Sequence, residues 1–214
     1  MRGRTALVAA VAATGLVVGG AVAFRTGGPG APDQPSAPTG GADGPAAEPT
    51  TLASYDVAGV EVARAPFCER VSPTGIEHAL GGPPASNETW DNGDRVRLPD
   101  GSRDRVQEYG CRWTAADGTT ASAWVFVPPV DPRAARALAR EEPAADCTRI
   151  EGDRFGGPSV TWACPTEGGT QERYAGRLGD AWLTCTLTAA GGRDTEADTR
   201  TSEWCVAVVE AARA

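Results

Sequence analysis

Residues 171–188 read QERYAGRLGDAWLTCTLT, and the fold turns on them. Gln171 to Leu178 and Trp182 to Thr188 read as two β runs, and Gly179-Asp180 between them is a tight hairpin signal. In the second run Leu183, Cys185 and Leu187 alternate with Trp182, Thr184 and Thr186. A strand places successive side chains on opposite faces, so Cys185 looks with the leucines toward a core. Trp182 then lies on the more polar face, which a three-layer arrangement would also cover.

Working outward, Val160 to Cys164 is a further short strand. Thr199 to Ala212 reads as a helix with Cys205, Val208, Val209 and Ala212 on one face. Near 104–114 and 120–127 two more strands are joined by a turn at Ala116-Asp117-Gly118. Pro128-Pro129 ends the second of them, and Asp131 with Pro132 opens a helix running to about Arg140. Further upstream, Ser72 caps a helix that starts at Pro73, buries Ile76, Ala79 and Leu80, and stops at Gly81-Gly82. Residues 83–102 are rich in Pro, Asn, Asp and Gly and read as a long surface loop. The order is α-β-β-α-β-β-β-α. Hairpin connections exclude a parallel doubly wound sheet, leaving an α+β fold with an antiparallel sheet and helices packed on one face.

Six cysteines, Cys68, Cys111, Cys147, Cys164, Cys185 and Cys205, all lie in this region. No C-x-x-C pair suggests zinc, and an even count in an exported chain predicts three disulfides. Cys185 and Cys205 enter the same helix–sheet layer from opposite sides and form one pair. Cys68, just before the first helix, pairs by the same logic with Cys111 on the first strand. Cys147 and Cys164 flank the irregular stretch from Ile150 to Ser159 and make the third.

The export expectation comes from the other end of the chain. Arg2 and Arg4 precede Thr5 to Phe24, an uncharged run of 20 residues that would span roughly 30 Å as a helix. The arginines place the N-terminus inside. The run is longer than a signal-peptide core, which favours an uncleaved anchor over residues 1–25. Ala21-Val22-Ala23 offers a cleavage site, so secretion after Ala23 is the alternative. Residues 26–50 hold six prolines and six glycines, and residues 26–60 read as a disordered linker leading to a domain at 61–214.

Composition removes several chemistries. The chain of 214 residues has 28 acidic and 20 basic side chains, a formal charge of −8, and every basic residue is arginine. Without lysine there is no Schiff base, no Walker-type loop and no Ser-x-x-Lys nucleophile. A single histidine excludes a three-histidine zinc site. The acidic balance argues against nucleic acid as a general partner. No cofactor or metal is expected.

Cys68 ahead of a helix ending in Ala79-Leu80-Gly81, followed by a strand carrying Gly110-Cys111-Arg112-Trp113, resembles a family of actinobacterial surface domains of unknown function. They are mostly lipoproteins or anchored proteins, similar to the extracytoplasmic sensor domains of mycobacterial receptor kinases. The all-arginine, alanine-rich composition fits such a source. This sequence lacks the lipid-modified cysteine of the usual members, and the resemblance carries no catalytic residues with it.

Three side-chain groups merit attention as chemistry. His78 lies on the first helix with no orienting partner in the sequence, and reads as a surface histidine. Asp91, Asp94, Asp100 and Asp104 surround an Asp-Asn-Gly-Asp turn, but Arg95, Arg97, Arg103 and Arg105 are interleaved with them and the EF-hand order is missing, so calcium is not expected. Six tryptophans, at 90, 113, 124, 162, 182 and 204, either fill a core short of phenylalanine or line a ligand surface; Trp90 and Trp182 are the candidates for that surface. The resulting expectation is a non-enzymatic cell-envelope module on a single-pass anchor, binding an envelope protein or ligand. An exported hydrolase using paired carboxylates on an envelope glycan is the alternative.

Overall fold

The computed structural model describes residues 49–97, 101–141, 146–151, 155–190 and 193–214. The expected anchor at 1–25 and the linker as far as residue 48 lie outside the described residues. Among the described residues no helix is long and apolar enough to cross a membrane.

The architecture is α+β. A 3-10 turn at Cys68–Arg70 precedes helix α1 (Pro73–Leu80). Strands β1 (Ser86–Trp90), β2 (Arg95–Arg97), β3 (Arg103–Arg105), β4 (Glu108–Thr114) and β5 (Thr120–Phe126) follow. Helix α2 (Pro132–Leu138) leads to β6 (Thr148–Arg149), β7 (Ser159–Thr166), β8 (Gly169–Leu178), β9 (Ala181–Ala190) and helix α3 (Thr195–Ala212). Seven strands form one sheet in the order β1-β4-β5-β9-β8-β7-β6, antiparallel at every step, while β2 and β3 pair with each other.

Local chemistry explains the helices. The Ser72 hydroxyl accepts from the Gly75 amide, and Gly81 closes α1 in the left-handed region at φ 73°. Asp131 accepts from the amides of Arg133 and Ala134, and Pro132 occupies the first helical position, where no amide is needed. Asp194 caps α3 by accepting from Ala197, so the helix begins one turn earlier than Thr199.

The hairpin of β8 and β9 is in the register its turn predicts, Leu178 opposite Ala181. Leu183, Cys185 and Leu187 look into the main core, together with Trp113, Ala121, Ala123 and Val125. From the other side of that layer come Ile76, Ala79 and Leu80 of α1 and Trp204, Cys205, Val208 and Val209 of α3. Trp113 and Trp204 meet edge to face, with ring centroids 5.6 Å apart. The disulfides are Cys68–Cys111, Cys147–Cys164 and Cys185–Cys205.

Helices α1 and α3 share one face of the sheet, as expected. The short α2 lies on the other face, where Ala135 and Ala139 pack with Val160, Trp162, Ala175 and Trp182. Trp182 is only 2% exposed. It offers no surface to a ligand, because the apolar side of α2 forms a third layer over this face of the sheet and packs on Trp182 and Trp162.

Two boundaries move. The segment 83–102 contains strands β1 and β2, which its polarity hides: β1 is an edge strand with Ser86 to Thr89 all exposed, so it shows no apolar alternation. The folded unit also begins before Glu61. Leu52 and Val60 are buried, the Leu52 amide donates to Ser202 Oγ at 2.8 Å, and Val62 bridges to Arg213. The Tyr55 hydroxyl donates to Glu210, and burial together with that carboxylate pushes its pKa up to about 12. The Pro and Gly density of the linker ends at Pro49, and the residues after it carry enough apolar surface to pack as a strap along α3.

Replacing Cys185 and Cys205 together by alanine removes a 20-residue cross-link, worth about 3 kcal/mol at most in the chain-entropy picture. The thermal midpoint should fall by about 6–12 °C, as read by circular dichroism. Leu52→Ala should cost about 2–5 kcal/mol; an unchanged midpoint would show that the strap does not pack.

Candidate functional site

The site is built at the β1 edge of the sheet. Trp90 is the last residue of β1 and stands directly opposite Gly110 on β4. A side chain at Gly110 would collide with the indole: its Cβ would lie 2.2 Å from Trp90 Cζ2. The ring therefore lies flat across the backbone of β4, in a space that only glycine leaves open. Its Nε1 donates to Glu108 Oε1 at 3.0 Å, two residues along the same face. Packing below and a hydrogen bond at the edge fix the indole before any ligand arrives, which removes an ordering cost from binding.

A cavity of about 300 Å³ opens beside it, lined by Trp90, Tyr109, Thr89 and Asp91 from the strands and by Phe67 and Glu69 near the 3-10 turn. The Cys68–Cys111 bond joins the two walls. Arg70, also on the rim, donates through Nε to the Ala211 carbonyl at 2.7 Å and so ties the turn to the end of α3.

On the same sheet face the polar and aromatic groups continue inward from Trp90. Trp124 on β5 is the next partner of Gly110, and the Arg173 guanidinium from β8 sits over its ring, 5.6 Å from the centroid. Burial pushes the Glu108 carboxyl above its ordinary range, against the opposing pull of the Trp90 hydrogen bond and of Arg173. Burial likewise lowers the Arg173 guanidinium.

Of the two tryptophans singled out by sequence, Trp90 lines this cavity. Trp182 stands on the same sheet face but on β9, with β4 and β5 between the two strands, so they form no common surface. Trp113, Trp162 and Trp204 are buried with Trp182, and Trp124 is partly exposed. Tyr109 was not singled out by sequence, and Gly110 appeared there only within Gly110-Cys111-Arg112-Trp113 and not as the seat of Trp90.

The remaining candidates take structural places. His78 Nε2 pairs with Glu203 Oε2, linking α1 to α3, and no nucleophilic side chain bonds to it among the described residues. Asp94 Oδ2 accepts from the Asp91 amide at 2.9 Å inside the turn. Among the described residues no group of three or more His, Cys, Asp or Glu could hold a metal.

Carboxylates do converge elsewhere. Arg193 Nε donates to Glu172 Oε1 at 2.8 Å and its Nη2 to Asp198 Oδ2 at 2.9 Å. Glu172 is 3% exposed, and Glu172 Oε2 and Asp198 Oδ1 are buried without partners of their own. The guanidinium clamps both carboxyls and joins β8 to the first turn of α3; Glu172 is closed to any substrate, while Asp198 lies at the edge of a shallow cavity with its Oδ2 held by Arg193. Burial first, and the Asp198 carboxyl second, raise the Glu172 pKa. A raised folded-state value means that this group's stabilisation is complete while it is protonated, below the ordinary carboxylate range. That contribution is lost as pH climbs through the folded-state value. Glu172→Gln, neutral at every pH, should melt above the parent at pH 7.5, and the gap should close by pH 4 in thermal scans. A gap that widens on acidification would reverse the assignment.

No family model matches the chain, and neither a curated protein nor a solved structure does.

Proposed function

We propose that the chain is a non-enzymatic binding module held outside the cytoplasmic membrane by its N-terminal segment, with a glycan of the cell envelope as the ligand of the Trp90 cavity. The observation that carries this reading is the indole of Trp90, seated on Gly110, held by Glu108 and lining a cavity with Tyr109. Flat aromatic faces beside hydrogen-bonding carboxylates and hydroxyls suit a sugar ring, whose C–H face stacks while its hydroxyls bond at the edge. Three disulfides support an oxidising compartment.

The competing reading is a hydrolase, favoured by the presence of Glu69 and Asp91 in the lining of the same cavity. Both are exposed to solvent, whereas a glycosidase keeps its proton donor in a water-excluded pocket. Binding is the better fit.

The test uses soluble wall-glycan fragments titrated against the protein, with tryptophan fluorescence as the signal. Trp90→Ala should lower affinity at least tenfold, in line with the roughly 1.4 kcal/mol or more carried by an aromatic anchor. Gly110→Ala should weaken binding through displacement of the ring. Fragment length, read by mass spectrometry after long incubation, should not change. Shortened fragments would establish the hydrolase, and equal binding by Trp90→Ala would remove this site.

A further inference from the structure

The β2–β3 ribbon sorts charges that the sequence interleaves. Arg95 stands opposite Arg105 and Arg97 opposite Arg103, with Val96 opposite Asp104 between them. Directly opposed residues of an antiparallel pair share a face, and alternate residues along a strand do the same. All four arginines therefore occupy one face of the ribbon, and Asp104 lies on the other with Val96. Every residue of both strands is exposed. Like charges directly across a ladder destabilise it, and this ribbon has two such pairs. Among the described residues none of the four arginines makes an ion pair with a carboxylate. The guanidinium of Arg105 donates to the Gly93 carbonyl at 2.9 Å, which positions it without neutralising it.

A two-by-two array of uncompensated guanidiniums on a protein of net charge −8 is a feature that folding alone disfavours. We propose that this face binds a slender, phosphate-bearing polyanion lying along the ribbon. Arginine's fork matches phosphate oxygens in paired hydrogen bonds, and the two arginine rows run parallel to the strands. The arginine rows lie on a ribbon only two strands wide, a footprint that suits a single polymer strand better than a flat bilayer.

The probe is inorganic polyphosphate, titrated against the full-length protein in non-ionic detergent over a range of salt. Four contacts to a flexible polyanion predict a slope of log K against log salt of about −3. R97Q/R103Q should halve that slope and lower affinity roughly tenfold at low salt, while R97K/R103K retains the slope. Arg112→Gln, on β4 outside the ribbon, should bind as the parent does. Relief of the opposed charges should leave the R97Q/R103Q thermal midpoint no lower than the parent's, which separates lost binding from lost folding. Polyphosphate binding that ignores R97Q/R103Q, or no binding by the parent, overturns the proposal. So does slower tryptic cleavage at Arg97 and Arg103 in phosphatidylglycerol than in phosphatidylcholine vesicles, which would assign the face to lipid. None of these outcomes touches Trp90, so the glycan site stands or falls separately.

Discussion

The structure depends on strand β9 being buried on both faces. Its residues from Ala181 to Leu187 are all shielded from water, and it sits fourth of the seven strands. One face contributes Leu183, Cys185 and Leu187 to the layer under α1 and α3; the other contributes Trp182 to the layer under α2. A strand in that position has no solvent side, so it needs a cover on each. The three-layer arrangement, the separate α2 cluster and the placing of Cys185 opposite Cys205 all follow from it. On its second face Thr186 shares a hydrogen bond with Ser122 at 2.7 Å, which satisfies two hydroxyls that water cannot reach, while the buried Thr184 hydroxyl beside it has no partner among the described residues.

Much of this was legible from side-chain periodicity. The β8–β9 hairpin and the capped starts of α1 and α2 rest on local signals, and the Cys185–Cys205 pair on a parity argument that is robust because a one-residue slip would reverse the faces. The start of α3, at Thr195 and not Thr199, was missed. What escaped did so for identifiable reasons. Strand β1 is held by backbone pairing to β4 and buries almost nothing, so hydropathy is blind to it. The strap before Glu61 packs through a few separated residues, Leu52, Val60 and Val62, that follow directly on a linker-like composition. The side of the sheet that α2 covers depends on the path of the connection after β5, which carries no periodic signal.

The site shows the same division. Trp90 was visible as a residue type on a polar stretch, but its seat was not. That seat is a pairing between a tryptophan and a glycine twenty residues apart, created when β1 and β4 come into register. The arginine face arises similarly. In sequence, the four arginines from Arg95 to Arg105 are interleaved with the four aspartates of 91–104; in the ribbon, strand alternation puts all four arginines on one face and Asp104 on the other. A balance of charge along the chain says little about the balance across a surface.

The pairing of the first and last described segments has a mechanical consequence. The Ala63 amide donates to the Ala212 carbonyl, and the Ala214 amide to the Glu61 carbonyl, so the C-terminal part of the strap is bonded to the end of α3. Tension arriving through the N-terminal side would load the strap first, peeling Leu52 and Val60 away from α3 a few bonds at a time. The peel would reach Cys68 and stop there, because Cys68 is covalently joined to Cys111 in the middle of β4. Beyond that point the load passes into the sheet, where it must shear a row of backbone hydrogen bonds at once. The first disulfide is thus a limit stop: a tethered module built this way can yield by a short, reversible length under force while the sheet that carries Trp90 keeps its shape.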